Sequence, residues 1–570
     1  MKHKDIIRKF ELLIFLLELH NVEETKIKLF SEALLKIEQL PFSLDTCKSV
    51  EEIEQIGFSK SIATTIFQMI TKNEFPFLEE LVSQTPQGVI KMKQVSGLGI
   101  KKIRTLWKEA KIDSLEALEM ACKTGIIARL KGFGEKSQAQ ILESVRFVIK
   151  NSCRLRLSDA DIYIKILQEF IENVQQEAGK SPRTAIVGET ARSCEVVESL
   201  DLVVGYPFLY DHYKNAIQKS KVFILSLPFS NPFILRGSVH ETQTPFQIIL
   251  CEEKNWINTV FRYTAAAEHL TSEIKDGKSL IQIIRSHSFK SEEEVYQSVG
   301  LPYIIPERRE FAPSFITKNY ITYQDLKGVL HCHSTYSDGK NSLREMAIAC
   351  KELGFEYLGI TDHSVSAFYA NGLSIESVFK QHHEIENLNK ELAPFRILKG
   401  IESDILADGS LDYPDEILAM FDFVIASVHS GLKMDKQTAT RRIGRALENP
   451  YTTILGHATG RLLLEREGYP LDVETIIDLA LQNNVVIEIN ANPYRLDLDW
   501  RWAIKAAEKG VRLSINPDAH RIEGYHDIHY GVRIARKAGL TPSDILNTLS
   551  LEEVCSFFAQ RKLAKNLLKT

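Results

Sequence analysis

The sequence predicts a multidomain protein that is all-helical at its N-terminal end, mixed α/β in the middle, and a parallel, barrel-like α/β domain at its C-terminal end. At 570 residues the chain is too long for one hydrophobic core, since domains hold roughly 100 to 200 residues each. Residues 1–150 have helical periodicity that is broken only by Pro and Gly. After residue 328, seven apolar β-like runs alternate with helical runs, which is typical of a parallel sheet covered by helices.

The composition excludes several other classes of protein. Hydrophobic residues make up 44% and charged residues 25% of the chain, so extensive disorder is not expected. The eight cysteines form no C-x-x-C pair, which indicates reduced thiols. Glu11 and Glu18 interrupt the apolar N-terminal stretch, and no run of about 20 uncharged apolar residues occurs elsewhere. We therefore expect a cytoplasmic protein without a membrane span.

The N-terminal region contains an internal repeat. MKQVSGLGIKKIRTLWKEA (92–110) and IARLKGFGEKSQAQILESV (127–145) each place a short helix, then Gly-x-Gly, then a longer helix. A third segment, IEQIGFSKSIATTIFQMI (53–70), has Ser59 where the second glycine would stand. We interpret the three segments as helix-hairpin-helix units.

The hairpin glycines predict contacts with a nucleic-acid backbone. A Gly-x-Gly turn before a helix presents backbone N–H groups at the helix N-terminus, where phosphate binds readily. Residues 91–155 hold fourteen Lys or Arg against six Asp or Glu, an excess that the net charge of −5 for the whole chain conceals. The alternative is that each Gly-x-Gly merely joins two packed helices. The candidate DNA-binding residues are Gly97, Gly99, Lys101, Lys102, Gly132, Gly134 and Lys136.

The middle of the chain, residues 156–312, combines helical and β-like runs. DADIYIKILQEFIENVQQEAG is helical, whereas RTAIVGE, SLDLVVGY, KVFILSLPF and FQIILCEE have the pattern of strands. Residues 301–328 are rich in Pro and charge and have no clear period, so they indicate a linker.

Histidines and carboxylates follow the apolar runs of the C-terminal region. In a strand, residues i and i+2 share a face, so His331 and His333 project together, as do Asp518 and His520. Imidazole and carboxylate suit zinc, manganese and iron, and Glu402 could bridge two ions. One such histidine is more often a hydrogen-bonded loop residue, but nine candidates at separate strand ends indicate a multinuclear metal hydrolase. The nine are His331, His333, Asp338, His363, Glu402, His429, His457, Asp518 and His520.

Two histidines in this region do not fit that pattern. His382 and His383 lie within a helical run, and we expect both at the surface.

Residues 328–570 resemble the PHP (polymerase and histidinol phosphatase) domain family. The resemblance rests on HCHSTYSDG, ITDHS, GIESDILADGSLDYPDE, ASVHSG, GHATGRLL, EINANPYRLDLDWR and NPDAH. It implies a distorted (β/α)7 barrel that binds three divalent ions, manganese or zinc. The implied sets are His331, His333, Glu402 and Asp518 for the first ion, Asp338, His363 and His520 for the second, and Glu402, His429 and His457 for the third.

Clustered divalent ions activate water and neutralise phosphodiester charge, so hydrolysis of a phosphoester is the expected reaction. Arg461 and Arg495 are candidate catalytic residues, because arginine binds phosphate oxygens in a bidentate fashion. Either one could instead be a structural arginine in a salt bridge.

The whole chain resembles the bacterial family X DNA polymerases of the PolX type. The segments that carry this resemblance are ELHNVEETKIKLFSEALLKIEQLP, the hairpins, SEEEVYQSVGLPYIIPERRE and the PHP motifs. It implies an α/β nucleotidyltransferase-like palm and a thumb. The implied domains are an 8-kDa-like helical domain (1–80), a fingers-like helix-hairpin-helix domain (81–155), a palm (156–250), a thumb-like domain (251–312), a linker (313–327) and the PHP domain (328–570).

The palm departs from the pattern of that family. In GETARSCEVVESLDLVV, Glu189 replaces the family's serine, Ala191 one arginine, and Ser199 the first aspartate, so that only Asp201 of the pair remains. FQIILC, on the later strand, has no acid. Nucleotidyl transfer by two metal ions needs carboxylates at both ions, so we expect an inactive palm. The altered thumb motif, RYTAAAEHL, agrees with a scaffold or a DNA-binding surface over residues 156–312.

The sequence thus predicts a metal-dependent phosphodiester hydrolase that acts on gapped, nicked or 3′-ended DNA, as a 3′-5′ exonuclease or 3′-end-processing repair enzyme. Three alternatives remain open. They are an active repair polymerase with a proofreading PHP exonuclease, a small-molecule phosphatase of the histidinol-phosphatase type, and a DNA-binding scaffold with structural metals.

Overall fold

The computed structural model describes residues 3–40, 42–274, 277–314 and 319–567. The chain divides into two compact units, residues 1–152 and residues 153–570. The finer domain boundaries within these units stay predictions. None of the described helices is long and apolar enough to cross a membrane.

The first unit is helical throughout its described residues, as the sequence predicts. Its core runs from Ile6 in the first helix to Val148 in the last, so one apolar cluster joins all parts of the unit. The helices are α1 His3–Leu19, α2 Glu24–Gln39, α3 Val50–Gln55, α4 Lys60–Lys72, α5 Pro76–Ser83, α6 Gln87–Lys91, α7 Ile100–Arg104, α8 Leu115–Lys123 and α9 Glu135–Asn151.

The three predicted hairpins share one backbone geometry. Gly57, Gly97 and Gly132 have φ of +96°, +86° and +85°, in the left-handed region that glycine adopts without strain. The second position of each turn caps the next helix, with Gly99 at α7 and Gly134 at α9. In the third hairpin Ser59 does so with its side chain, which accepts a hydrogen bond from the backbone of α4. The repeat is therefore structural, and serine serves where glycine is absent.

The second unit begins with a mixed α/β region, as predicted. Its main sheet has the strand order β2-β4-β7-β6-β5, in which β4 and β7 are parallel and the other pairs antiparallel. The sequence did not predict β6. The elements are β1 Leu155–Arg156, α10 Leu157–Glu177, β2 Thr184–Val187, α11 Gly188–Ala191, β3 Val196–Val197, β4 Leu200–Val204, α12 Tyr210–Lys219, β5 Phe223–Leu225, β6 Ile234–Val239, β7 Pro245–Leu250, α13 Trp256–Thr264, α14 Ala267–Thr271, α15 Leu280–Ser286 and α16 Glu292–Gln297.

The C-terminal region is a seven-stranded parallel sheet that curves into a nearly closed barrel, and its strands are the seven predicted runs. The order follows the chain from β8 to β14, and a parallel bridge from Cys332 to Ala519 joins the two ends. The elements are β8 Gly328–Val329, α17 Leu343–Glu352, β9 Tyr357–Ile360, α18 Ile375–Leu392, β10 Arg396–Asp404, α19 Asp415–Leu418, β11 Phe423–Ser427, α20 Lys436–Glu448, β12 Thr452–Leu455, α21 Val473–Gln482, β13 Val486–Asn490, α22 Trp500–Glu508, β14 Leu513–Asn516, α23 Ile528–Ala538 and α24 Leu551–Leu567.

The barrel strands are buried on both faces, because helices cover the outside and side chains fill the inside. Strands β9 and β11 to β14 are buried at every residue, which explains why they read as continuous apolar runs. Since the strands are parallel, their carboxyl ends meet at one rim. The polar residues that follow the strands are therefore brought together there.

The predicted linker is only partly described, since residues 315–318 of the segment 313–327 lie outside the described residues. The part from residue 319 onward packs on the barrel. Ile321 is buried, and its backbone N–H donates to Leu540 O at 3.0 Å.

One predicted position is wrong. His382 is buried, because it lies on the inward side of α18 with its ring edge-on to Phe421 at 5.0 Å between centroids. His383, the next residue, is exposed as predicted.

Candidate metal centre

The nine predicted ligand residues converge at the carboxyl rim of the barrel. His331 and His333 follow β8, His363 follows β9, and Glu402 lies within β10 near its end. The others come from the segments after β8, β11, β12 and β14. Residues that are almost 190 positions apart in the chain thus share one site. Their role as ligands stays a prediction, but the structure brings all nine together.

Glu402 lies at the middle of this cluster. Its side chain is buried, and both of its oxygens face imidazole nitrogens from four different strand ends. Such a carboxylate is well placed to bridge two cations, as the sequence predicts. Oε1 lies 2.9 Å from His457 Nε2, 3.3 Å from His429 Nε2 and 3.4 Å from His331 Nε2, and Oε2 lies 3.0 Å from His363 Nδ1 and 3.6 Å from His333 Nε2.

Three groups within the cluster have their donor atoms within 4.8 Å of one another, the spacing that a shared cation requires. They overlap with the three implied sets, although His333 and His363 each belong to two groups. His457 stands outside these groups but contacts Glu402. The groups are His333, Asp338, His363 and His520; His331, His333 and Asp518; and His363, Glu402 and His429.

Unsatisfied polar atoms show that the site fits cations. Buried nitrogen and oxygen atoms normally have a hydrogen-bond partner. Here one ring nitrogen of each of four candidate ligands, and one oxygen of Glu402, has none. A divalent cation beside Glu402 would satisfy the three of these atoms that face one another there, which are His331 Nε2, His363 Nδ1 and Glu402 Oε1. Imidazole with carboxylate is a donor set that such cations accept. The four ring nitrogens are His331 Nε2, His333 Nδ1, His363 Nδ1 and His457 Nδ1.

Two carboxylates that sequence reasoning missed orient these imidazoles. Glu488 is fully buried on β13 and accepts a hydrogen bond from His331 Nδ1 at 2.7 Å. Asp404, at the end of β10, accepts one from His429 Nδ1 at 2.5 Å. A carboxylate behind a histidine fixes its tautomer and leaves the other nitrogen for a metal. The signals were present, as an acid inside the apolar run VVIEINA and an acid two residues after Glu402.

A third buried acid holds the loop that carries Asp338. Asp362 accepts hydrogen bonds from the hydroxyl groups of Ser334 at 2.7 Å and Ser337 at 2.5 Å, and from the amide of Gln381 at 2.6 Å. Burial raises the pKa of Asp362, and these donors oppose that effect. The loop after β8 is thereby fixed beside the centre.

The carboxylates and imidazoles of the cluster shift one another's pKa. Burial opposes ionisation, but the imidazoles of His429 and His331 hold the pKa of Glu402 well below its usual range. Burial also lowers the pKa of His333 to about 3, so this ring is neutral and able to bind metal. His429 is buried as well, but Glu402 and Asp404 raise its pKa to about 10. Proton and metal therefore compete for the same carboxylate-rich site.

The two candidate arginines occupy different positions. Arg461 is held by Asp499, whose Oδ2 lies 2.8 Å from Arg461 Nη1, and by the backbone carbonyls of Arg495 and Leu496. Arg495 instead directs its guanidinium to the centre, with Nε 3.7 Å from Asp518 Oδ2. The Arg495 guanidinium thus faces the centre, whereas Arg461 holds the segment that carries Arg495.

The hairpin residues are not alike either. Lys101, Lys136, Gly97 and Gly99 are exposed. The Lys102 ammonium donates to Gly97 O at 3.2 Å and to Ser137 Oγ at 3.1 Å, so that it ties one hairpin to the other.

The palm sheet places a single acid where the predicted site would lie. Asp201 on β4 is paired in register with Gln247 on β7, and Ser199 Oγ donates to Asp201 Oδ1 at 2.6 Å. Burial raises the pKa of Asp201. Glu189 turns away to accept the backbone N–H of Glu198 at 2.5 Å. Serine, glutamine and one aspartate thus occupy the centre of this sheet.

Comparison with known proteins gives matches to the whole chain and to its C-terminal part. Residues 330–492 match the PHP domain family. The chain is 35% identical over 581 residues to the DNA polymerase/3′-5′ exonuclease PolX of Bacillus subtilis, covering 98% of this chain and 99% of that protein. A probable phosphatase of Thermoanaerobacter sp. is 28% identical over 242 residues, covering 39% of this chain and 91% of that protein.

A solved structure of Leishmania infantum polymerase beta, a ternary P/T complex, aligns with 39% of this chain and 98% of its own. The identity is 14% and the TM-score 0.24.

Proposed function

The chain belongs to the PolX family of bacterial DNA polymerases with a C-terminal PHP domain, and on that premise we propose that it trims or repairs the 3′ ends of DNA without synthesising DNA. In this proposal the PHP centre hydrolyses a phosphodiester as a 3′-5′ exonuclease. The hairpins of the first unit hold the DNA backbone. The palm is retained without polymerase activity.

The observation that carries the proposal is the convergence of nine ligand-type residues, with five unsatisfied buried atoms among them. Three divalent ions, manganese or zinc, are the proposed cofactors. Glu402 would bridge ions, and His331, His333 and Asp518 would hold one of them from the closing edge of the barrel. A scaffold with structural metals would have no need of Arg495 directed into the centre.

Different residues of the chain would have different roles in hydrolysis. Bound divalent cations would activate water and neutralise the charge that develops on the phosphodiester. Arg495 would bind a phosphate oxygen and orient the phosphorus for attack. Glu488 and Asp404 hold the imidazoles in place, so that the site needs little reorganisation during the reaction.

The hairpins would supply contacts to the DNA backbone that do not depend on the DNA sequence. Gly99 and Gly134 leave open space beside the first turn of a helix, and the lysines beside them are exposed. Backbone N–H groups there can meet phosphate oxygens. The excess of positive charge in residues 91–155 supports such contacts.

Digestion of oligonucleotides carrying either a 5′ or a 3′ label tests the proposal. With Mn²⁺ we expect mononucleotides from the 3′-labelled strand and a descending ladder from the 5′-labelled strand. His331→Ala should abolish both products without weakening DNA binding. His383→Ala, an exposed histidine of the same domain, is the matched control and should cut normally. Release of phosphate from monoesters, with no cutting of DNA, would instead favour the small-molecule phosphatase.

A second candidate, repair synthesis, is favoured by the likeness to a relative that is named a DNA polymerase. Asp201 would then have to serve without the two other acids. Incorporation of nucleotides that Asp201→Ala abolishes, while 3′ shortening persists, would support this candidate. The absence of incorporation in the unaltered protein supports the inactive palm.

A further inference from the structure

The segment between β9 and α18 presents two exposed aromatic rings at the metal centre. Phe368 and Tyr369 form a short 3-10 turn and are 86% and 69% exposed. The Tyr369 ring lies 6.1 Å from that of His363 and 6.3 Å from that of His429, measured between centroids. The Tyr369 ring therefore stands at the rim of the centre, and Phe368 adjoins it in the same turn.

Buried residues anchor the turn although its rings are exposed. Ala367 before it, Ala370 at its end and Leu373 after it are all buried. The Ser366 hydroxyl donates to Asp404 Oδ2 at 3.0 Å, and Asp404 is the same acid that holds His429. The segment that carries the rings is thus connected through Asp404 to an imidazole of the centre.

Exposed apolar side chains concentrate in this segment. Among the described residues from 328 onward, nine large apolar side chains are exposed, and five of them lie between residues 365 and 379. Single exposed apolar residues are common, but a cluster beside a site indicates binding. The five are Val365, Phe368, Tyr369, Ile375 and Phe379.

We propose that Phe368 and Tyr369 form a platform on which the nucleobase next to the scissile phosphate stacks. The inference rests on the proposed nuclease function and deepens it. A nucleotide combines an anionic phosphodiester with a flat ring. The centre offers ligands for cations and Arg495 to the phosphate, and the adjacent rim offers two flat rings to the base.

Because the platform binds by stacking, it would not distinguish one base from another. Every base has a π face, so aromatic side chains bind bases of any identity, with about 1 to 3 kcal/mol for each stacked base. A base that is paired in a duplex has its faces covered by neighbouring base pairs. The platform therefore selects an unpaired end and holds its phosphate over the centre.

A double-mutant cycle tests the contact. One change is Phe368→Ala in the full-length protein, and the other replaces the 3′-terminal nucleotide of a single-stranded substrate by an abasic residue. In the unaltered protein we expect removal of the base to lower kcat/KM about tenfold, which corresponds to about 1.4 kcal/mol. In Phe368→Ala the base should make little difference, and Phe368→Trp should restore the discrimination. Equal discrimination in Phe368→Ala and the unaltered protein would overturn the proposal.

Binding without cleavage separates this proposal from the proposed function. The probe is an oligonucleotide with 2-aminopurine at its 3′ end behind a phosphorothioate linkage, since stacking quenches 2-aminopurine fluorescence. We expect quenching with the unaltered protein and with Phe233→Ala, at a phenylalanine of the palm region that is also largely exposed. Quenching should be lost in Phe368→Ala and in Tyr369→Ala.

The measurements can reject the aromatic platform and the nuclease function independently of each other. Ring-dependent quenching with no release of nucleotides would leave the platform standing and reject the nuclease. Release of nucleotides with quenching that does not depend on either ring would reject the platform and leave the nuclease standing. A protein partner on this surface would produce the second result.

Discussion

Glu488 is the residue on which the geometry of the centre depends most, although it belongs to none of the predicted ligand sets. Besides His331, it accepts the backbone N–H of His457 at 2.8 Å and the amide of Asn516 at 3.0 Å. It is fully buried, so it remains in place only because these donors satisfy it. One acid thus orients two candidate ligands from opposite parts of the barrel.

Glu488→Gln should lower metal affinity by about 10- to 100-fold, because the amide keeps the shape of the side chain but loses the charge that holds His331. Titration with Mn²⁺, followed by metal analysis of the purified protein, measures the change. Asp478→Asn, at an exposed acid paired with Lys509, is the control and should bind metal normally. Unaltered affinity in Glu488→Gln would show that His331 needs no carboxylate behind it.

His269 makes the thumb region sensitive to acid. Its Nδ1 donates to Phe311 O at 2.7 Å, and the Tyr296 hydroxyl donates to its Nε2 at 2.8 Å. Burial lowers the pKa of His269 from 6.5 to about 4. The unfolded chain therefore binds this proton at a higher pH than the folded chain. The stabilising contribution is complete above about pH 6.5 and is lost as the pH falls towards 4.

The predicted loss from His269 between about pH 7 and about pH 5 is about 2 kcal/mol of unfolding free energy. His269→Gln cannot take up this proton, so its stability should fall less over the same range. Urea unfolding at both pH values measures the difference. If the unfolding free energy of the variant and of the unaltered protein fell by the same amount, groups other than His269 would cause the acid sensitivity.

For individual residues, the sequence predicts the candidate ligands but misses the side chains that hold those ligands in place. The nine ligand candidates stand out because polar residues follow apolar runs at strand ends. Glu488 lies inside such a run, and His382 lies in a helix whose buried side the sequence alone did not reveal. Both depend on which partner a folded neighbour supplies, and no local pattern contains that information.

Among the elements, one hairpin contains two glycines whose backbone conformations differ. Gly132 has φ of +85°, a conformation that costs an L-residue about 1 kcal/mol or more. Gly134 has extended backbone, and nothing lies within 4 Å of the position that a Cβ would occupy. The fold therefore requires glycine at 132 but not at 134, and the proposed contact with DNA would give a reason for Gly134.

Gly132→Ala should destabilise the first unit by about 1 kcal/mol, because alanine is strained at positive φ. Gly134→Ala should leave stability nearly unchanged but weaken DNA binding several-fold, since a methyl group would hold the phosphate away from the helix N-terminus. Urea unfolding and fluorescence anisotropy at several salt concentrations measure the two effects. Normal DNA binding by Gly134→Ala would support the alternative in which these turns only join packed helices.

Elements with a distinct hydrophobic pattern are the ones that the sequence predicts. The seven barrel strands read as continuous apolar runs because helices cover one face and side chains fill the other, so the sequence predicts all seven. Strand β6 was not, because it reads ILRGSV and carries Gly237, where a Cβ would lie 2.1 Å from the backbone oxygen of Ile224. Close approach of two strands, and not β propensity, places glycine there.

At the scale of the whole molecule, the second unit joins the palm region to the PHP barrel through charged contacts. Glu195, in the palm loop, accepts hydrogen bonds from Trp500 Nε1 at 3.0 Å and from Arg501 at 3.1 Å. These residues adjoin Asp499, which holds Arg461 and thereby the segment of Arg495. This chain of contacts connects the palm region to the segment of the candidate metal centre that carries Arg495.

Glu195→Ala should lower the kcat of the exonuclease on the order of tenfold, because loosening the Arg495 segment misplaces the phosphate. The substrate KM should change less, since in this proposal the hairpins of the first unit hold the DNA. Glu198→Ala, at an acid three residues away whose side chain pairs with Arg154, is the control and should retain activity. Equal rates for both variants and the unaltered protein would confine the role of the palm to folding.

We propose that this chain shortens 3′ ends and does not extend them. A single reaction tests both halves of this proposal, in which a 5′-labelled primer on gapped DNA is incubated with Mn²⁺ and all four deoxynucleotides. We expect products shorter than the primer, and their loss in His331→Ala. Products longer than the primer that disappear in Asp201→Ala would show that the palm synthesises DNA.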